Sequence, residues 1–542
     1  MGRCALRRLL VIGVVCLGLS PAAAFADEPE LADRGDLFPS QQLFVLDMDG
    51  DFRVRGEVSQ ALDMGLSPVP DKYGIYPQVS EKKSSVRNLR ESTDFRLRLR
   101  PVLHVSEMGD VRMVVDLLDV QAGQGGNSLL AEALTSQWAM PAPGGVESTL
   151  ESAAVRMLWG QLHLFHLLTV DVGRAPAAWG MGLVENDASH WDANGGDAVD
   201  TVTLSARLGM GFEVSASLDW PLEGRSVGGA FSPWQEGNDA GDLDDIWQWR
   251  LKATHFSGDR KAGNWIQWGV YNRIRFQDYS SLGSQSPYEE CRQYPWAPLY
   301  SCNELFWRDA TVWTPDAWMA GSLALGSDRF LELEAELAGR YGVLGAGRFL
   351  TAESSDRTVA GIGGALRAGF VMPRLAVRLE GGGASGDRDT LAFGILDKPV
   401  VGEPDAAPGE DAAVLHNDTV TSFALHPNHL VDLILYRRVI GAVTNSWYVK
   451  PSVTGALWER GDSYLKLTAS GLYAMAFAAE STPGEAAPLG IEADLALEAR
   501  ITRHALVHLD GGVLFPLDGL AEGSKLEAPV PWTSRLVLDF SF

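Results

Sequence analysis

The chain is poor in cysteine, poor in basic residues and without a long apolar run beyond its first residues, and each shortage removes a class of protein. Four cysteines occur in 542 residues, and Cys4 and Cys16 fall in an N-terminal leader. Cys291 and Cys302 remain, flanking RQYPWAPLYS, too few for a disulfide-built scaffold or a closed metal site. In an exported protein that pair is expected to form one disulfide. Lysine and arginine number 45 against 70 aspartates and glutamates, for a net charge of −25. So acidic a balance argues against nucleic acid as a partner. After the leader no stretch reaches 18 consecutive apolar residues, which excludes a membrane-spanning helix. Neither a His-Glu-x-x-His pair nor a phosphate-binding loop occurs, and no nucleophile stands marked with its base, so no enzyme, cofactor or metal is implied.

The leader itself is legible. Arg3, Arg7 and Arg8 precede an apolar core, Leu9–Leu19, and Ala24-Phe25-Ala26 supplies a small-x-small cleavage site. Residues 1–26 therefore read as a removed secretory signal. Loss of three arginines and no acid takes the mature charge to about −28. Residues 27–50 read as a short periplasmic segment, and 51–542 as one barrel.

Alternation supports the barrel. Phe52, Val54, Gly56 and Val58 alternate with Arg53, Arg55, Glu57 and Ser59; Phe95, Leu97 and Leu99 with Arg96, Arg98 and Arg100; Leu331, Leu333, Ala335 and Leu337 with Glu332, Glu334 and Glu336. The runs 375–380, 465–473 and 491–501 behave alike. Period two means strands with one apolar and one polar face. Further candidates lie near 111–119, 152–160, 164–173, 199–208, 211–220, 246–257, 264–277, 317–326, 358–371, 430–440, 446–458, 505–514 and 534–542. Many are long enough to cross a bilayer at a tilt. An all-β, transmembrane antiparallel barrel of 16 or 18 strands with long extracellular loops is expected, because single-chain bacterial barrels carry even numbers. Aromatics near strand ends, among them Trp159, Trp179, Trp220, Trp247, Trp268, Tyr448 and Tyr473, suit interfacial girdles. The last strand ends with Leu536, Leu538, Phe540 and Phe542 on one face. Phe540 and Phe542 match the terminal signal read by the barrel assembly machinery, and this strand must pair near Phe52 to remove both edges.

The polar faces carry the candidate chemistry. Arg53, Arg55, Arg96, Arg98 and Arg100 form a basic ladder on one wall. Glu332, Glu334 and Glu336, with Glu492, Asp494 and Glu498, form acidic rows on others. In a lumen such rows either filter solutes by charge or pair to fill and stiffen the interior. After the strand ending at Arg174, glycines bend the chain around Trp179 into a loop holding Glu185, Asp187, Asp192, Asp197 and Asp200. It reads as an inward constriction; a calcium loop is the alternative, without a recognised ligand spacing. The long loop 387–429 is rich in Pro, Asp, Glu and Ala and is expected to be mobile.

Four stretches carry a resemblance: FRVRGEV with ALDMGL, RLRLRPVLHVSE with DLLDV, GRAPAAWGMGLVEND, and GDAVDTVTL. Together they resemble a porin-like family of outer-membrane barrels seen mainly in myxobacteria and other deltaproteobacteria. Family members carry cysteines after the Trp-Gly-x-Gly turn, and this chain has none there. The resemblance implies location and architecture, not an activity. The expectation is an outer-membrane channel of a Gram-negative cell, monomeric or homotrimeric, in contact with outer-membrane lipid and lipopolysaccharide, passing small hydrophilic solutes by charge-filtered diffusion. A substrate-specific oligosaccharide or polysaccharide channel, a surface enzyme, and a plugged adhesive or structural barrel are the rivals.

Overall fold

A computed structural model describes residues 45–62, 89–106, 108–122, 153–164, 167–193, 196–221, 246–281, 305–326, 328–344, 356–391, 393, 396–397, 419–521 and 530–542. Cys291 and Cys302, the signal segment 1–26 and most of 387–418 lie outside the described residues.

Eighteen antiparallel strands close on themselves. They are β1 Val45–Gln60, β2 Leu89–Ser106, β3 Gly109–Ala122, β4 Ala153–Leu164, β5 Leu168–Pro176, β6 Ala198–Gly209, β7 Phe212–Pro221, β8 Ile246–Asp259, β9 Asn264–Ser281, β10 Leu305–Ala324, β11 Phe330–Leu344, β12 Arg357–Val371, β13 Leu375–Ala384, β14 Ser446–Arg460, β15 Ser463–Ala476, β16 Pro488–Thr502, β17 Ala505–Pro516 and β18 Trp532–Ser541. Each pairs with its sequence neighbours, and β18 pairs with β1, Phe540 opposite Phe52. Backbone bonds between Gly50 and Phe542, both 3.0 Å, carry the closure to the last residue. The first strand opens at Val45 rather than at Asp51, so part of the presumed periplasmic segment belongs to the wall.

The connections sort by length. The connections β2–β3, β4–β5, β6–β7, β8–β9, β10–β11, β12–β13, β14–β15 and β16–β17 are short and join strand ends where β1 starts and β18 stops. The strand ends joined by the longer connections all lie at the other end.

The faces are inverted relative to a soluble protein. On β11, Leu333 and Leu337 are exposed outward while Glu336 is 2 % exposed; on β16, Leu495 is exposed while Glu492 is fully buried. Leu204, Leu251, Ile362, Leu379, Val453 and Leu536 continue the outward apolar surface around the wall. A water-soluble monomer does not leave so continuous a patch uncovered, and hydrocarbon is the medium that suits it.

One expected strand is not in the wall. The run 430–440 turns into the lumen instead, and it ends in a wide helical turn, Leu435–Ile440, in which Arg438 N and Val439 N both donate to Ile434 O. Leu433, Ile434 and Leu435 are consecutive apolar residues, and Ile434 and Leu435 are fully buried. Such a run lacks the polar second face of a membrane strand.

Candidate constriction inside the barrel

Among the described residues, two connections from the long-loop end fold inward. The first, Ala177–Asp197, joins β5 to β6. It can bend because Gly180 and Gly182 adopt φ of 54° and 77°. A Cβ on Gly180 would fall 2.3 Å from Glu336 Oε2, so the chain needs glycine there to lie against the wall. Several of its polar groups are met by the barrel wall. Trp179 Nε1 donates to Asp316 at 3.0 Å, and Leu183 N donates to Glu336 at 3.3 Å, joined by Met181 N on the same carboxyl. Farther along, Glu185 accepts from Tyr271 Oη at 2.6 Å, Arg250 at 3.2 Å and Arg273 at 3.4 Å, with Lys252 3.8 Å away. Burial opposes ionisation of Glu185, but Arg250, Lys252, Arg273 and the Tyr271 hydroxyl outweigh it and hold the carboxyl well below the usual range.

Past that point the loop crosses to the opposite wall. Trp191 stacks on His508 of β17 at 3.8 Å. Asp192 receives Arg55 at 3.2 Å, Arg535 at 2.9 Å and Arg437 at 2.6 Å. Here too burial is opposed and exceeded by the guanidiniums, Arg437 and Arg535 foremost, so the carboxyl stays ionised far into acid. The Ala193 carbonyl accepts from Arg96 at 2.7 Å and from Arg53 at 3.2 Å.

The second inward segment, 421–445, lies between β13 and β14. Glu492 of β16 accepts the backbone N–H groups of Leu433 and Ile434 at 2.9 Å and Leu435 at 2.8 Å. Asp432 then caps the turn, accepting from Tyr436 N at 3.0 Å and Arg437 N at 3.1 Å. Opposite, a Cβ on Gly363 of β12 would come 2.6 Å from the Phe423 ring, so glycine admits that ring to the wall. The two segments touch: His426 N donates to Leu183 O at 2.8 Å, and Arg437 reaches Asp192. Arg438 of the second is paired with Glu57 of β1. Between them lies an apolar cluster including Trp179, Leu183, Phe423, Leu425, Ile434 and Ile440. The lumen is therefore narrowed by packed protein, not merely lined by charge.

The second segment also carries a titrating group. His429 is buried beside Glu380 (3.9 Å) and the Tyr448 hydroxyl (3.4 Å). Burial, only partly opposed by Glu380, lowers its pKa to about 4. An unfolded histidine titrates near ~6.5. The folded protein therefore binds fewer protons in that window, and this contribution is complete above pH ~6.5 and lost as pH falls toward 4, on the order of 3 kcal/mol in all. Burial also lowers His190, which acts in the same direction. Urea unfolding of wild type and His429→Gln across this range isolates the His429 share: the variant is expected to show a clearly flatter pH dependence between pH 6.5 and 4, and parallel curves would contradict the assignment.

The ladder read from the sequence exists as geometry: Arg53 sits opposite Arg96, and Asp51 opposite Arg98. Yet Arg53 and Arg96 are each 1 % exposed, covered by the first inward loop, and Arg98 is spent on Asp116 at 2.6 Å. Only Arg100, bound to Asp51, keeps substantial exposure. The acidic rows divide likewise. Glu332 and Glu334 pair with Arg378 at 3.5 Å and Arg367 at 3.4 Å, while Glu336 and Glu492 hold inward segments. Asp494 keeps a buried Oδ1 without a hydrogen-bond partner, and Glu498 accepts from Tyr464 Oη at 2.5 Å. Arg174 and Asp200 pair with each other at 2.9 Å on the β5–β6 ladder and take no part in the constriction. Asp187 caps Ser189 N at an exposed turn, and Asp197 accepts from Asn186 N and lies 3.3 Å from His426. Glu185 and Asp192, the deepest acids of the loop, are engaged by guanidiniums, which leaves little for a calcium ion. Trp179 and Tyr448, counted with the interfacial girdle, face inward and are buried. The partners that the sequence does not flag are Arg250, Arg273, Tyr271, Asp432, Arg437 and Arg535. The one local hint is the pair Arg437-Arg438 in an otherwise apolar run.

No family model matches the chain, and no curated protein matches it. Similar solved structures include OccK11 (OpdR) of Pseudomonas aeruginosa, at 10 % identity and TM-score 0.46 over 92 % of this chain and 96 % of that one. A BenF-like porin from Pseudomonas fluorescens Pf-5 gives 10 %, 0.46, 92 % and 98 %. OccAB2 of Acinetobacter baumannii gives 7 %, 0.46, 92 % and 98 %.

Proposed function

We propose that this chain is an outer-membrane channel passing small hydrophilic solutes passively, with a charged constriction as the filter. One observation carries the reading: a closed barrel, apolar outside and charged inside, whose lumen is narrowed by two inward segments pinned by ion pairs. A barrel built only to anchor or adhere has no need of a second, folded layer inside its wall. The stretch that carries the sequence resemblance, 173–187, closes β5 and runs into the inward loop. The cell's outer membrane is then the site of action, with the short-turn end toward the periplasm.

The test is a planar bilayer containing the refolded mature chain. Discrete conductance steps are expected, small for an eighteen-stranded barrel, together with unequal permeabilities for the anion and cation of a simple salt. Heat-modifiable, folded protein that inserts without any conductance overturns the reading. That result would favour a plugged barrel, for which the dry cluster around Leu425 and Ile434 is the supporting observation.

A further inference from the structure

Most lumen arginines are matched to acids. Arg55 has Asp94 and Asp192, Arg98 has Asp116, Arg250 has Asp219, and Arg535 has Asp192 and Asp510. One group breaks the pattern. Arg273 and Arg275 on β9 and Arg340 on β11 flank β10, where Thr314 lies opposite Arg273. Arg275 donates through Nε to the neutral Gln248 amide at 3.0 Å. Arg340 donates to the Ser422 carbonyl at 2.7 Å and stands over the Phe423 ring. Neither has a carboxylate in ion-pair contact among the described residues. Arg273 has one, Glu185 at 3.4 Å, already held by Arg250, Lys252 and Tyr271. The Nε groups of Arg273 and Arg340 are buried without an acceptor, and Arg273 is 9 % exposed.

We propose that Arg273, Arg275 and Arg340 form a binding site for small oxyanions, carboxylate or phosphate, inside the lumen beside the constriction. Two guanidiniums without a carboxylate in contact, beside a third that shares Glu185 with Arg250, Lys252 and Tyr271, leave room for an acceptor that carries negative charge. Planar guanidinium forks suit a carboxylate or phosphate better than a halide, because two oxygens can accept from one fork. Phe423 shields one face of Arg340 from water, which strengthens the attraction of any anion reaching it. All three side chains project inward from the wall, so the anion arrives dissolved in the lumen water rather than as a lipid headgroup. This deepens the channel reading, since it names the solutes that would be slowed and selected in passage.

The experiment uses the full mature chain refolded in neutral-detergent micelles, with inorganic phosphate and succinate as probes in calorimetric titration. Wild type is expected to bind both saturably. The double variant Arg275→Gln/Arg340→Gln is expected to bind about tenfold more weakly or worse, with Arg275→Lys/Arg340→Lys intermediate, because lysine keeps charge and loses the fork. Arg260→Gln, at the exposed β8–β9 turn, should match wild type. Heat-modifiable mobility checks that each variant is folded. Absence of saturable binding to folded wild type, or equal binding by the Gln double variant, overturns the proposal. Bilayer recordings separate this from the broader reading. A protein that binds phosphate through these arginines without conducting keeps the site and loses the channel; one that conducts without binding keeps the channel and loses the site.

Discussion

Replacing Asp192 by alanine is expected to cost about 3–5 kcal/mol of stability, as for other buried ion pairs broken on one side. Asp192 is 3 % exposed and serves Arg55, Arg437 and Arg535 together. Two of the three have a second acid: Arg55 keeps Asp94 at 2.6 Å and Arg535 keeps Asp510 at 2.6 Å. Arg437 has no other carboxylate contact among the described residues, so its charge is left beside two like charges. The loss also cuts the ionic tie between the first inward loop and the second. A rise in single-channel conductance should therefore accompany the fall in urea midpoint. Asp192→Asn preserves shape and removes charge, and it should reproduce most of both effects. If the asparagine variant unfolds and conducts like wild type, the ion pairs are not what holds the constriction.

How much of this was legible beforehand follows from the range of each signal. The period of two is local, so the faces of β1, β2, β11 and β16 and their inward charges could be read directly. Closure followed from the apolar terminal strand, since an unpaired edge in hydrocarbon is excluded. The start of β10 at Leu305 leaves no clear alternation in the sequence. Pro315 lies mid-strand and a register shift falls between Trp307 and Ala310, which together spoil the alternation. The 430–440 run reads as a wall strand because apolar residues alone do not say whether their neighbour is lipid or a protein-filled lumen. What covers a charge is equally invisible locally. Asp192 meets Arg437 across 245 positions and Arg535 across 343, and Glu185 meets Arg250 across 65. An acidic loop in isolation suggests a cation; only the fold supplies guanidiniums in its place.

Excising residues 426–442 should produce the largest functional change. The ends of that excision are already together: Leu425 N donates to Val443 O at 2.9 Å, and Ala424 bridges Thr444. A linker of a few glycines can join Leu425 to Val443 without strain on β13 or β14. The excision removes Ile434, Leu435, Val439 and Ile440 from the apolar cluster and with them Arg437 and Arg438. Glu492, Lys450 and Glu57 lose their partners in that segment, but they face a lumen that water can then enter. Hydration replaces the lost bonds, so the barrel is expected to refold and stay heat-modifiable. Phe423 and the first inward loop remain, yet six residues of the apolar cluster, Val431 to Ile440, leave the lumen, and conductance is expected to rise several-fold, with weaker discrimination between anions and cations. Glycine linkers of two lengths should give the same result if the pathway lies where this segment stood. A folded variant whose conductance and ion preference equal those of wild type would place the permeation route elsewhere, and would leave the second segment a structural brace rather than part of the filter.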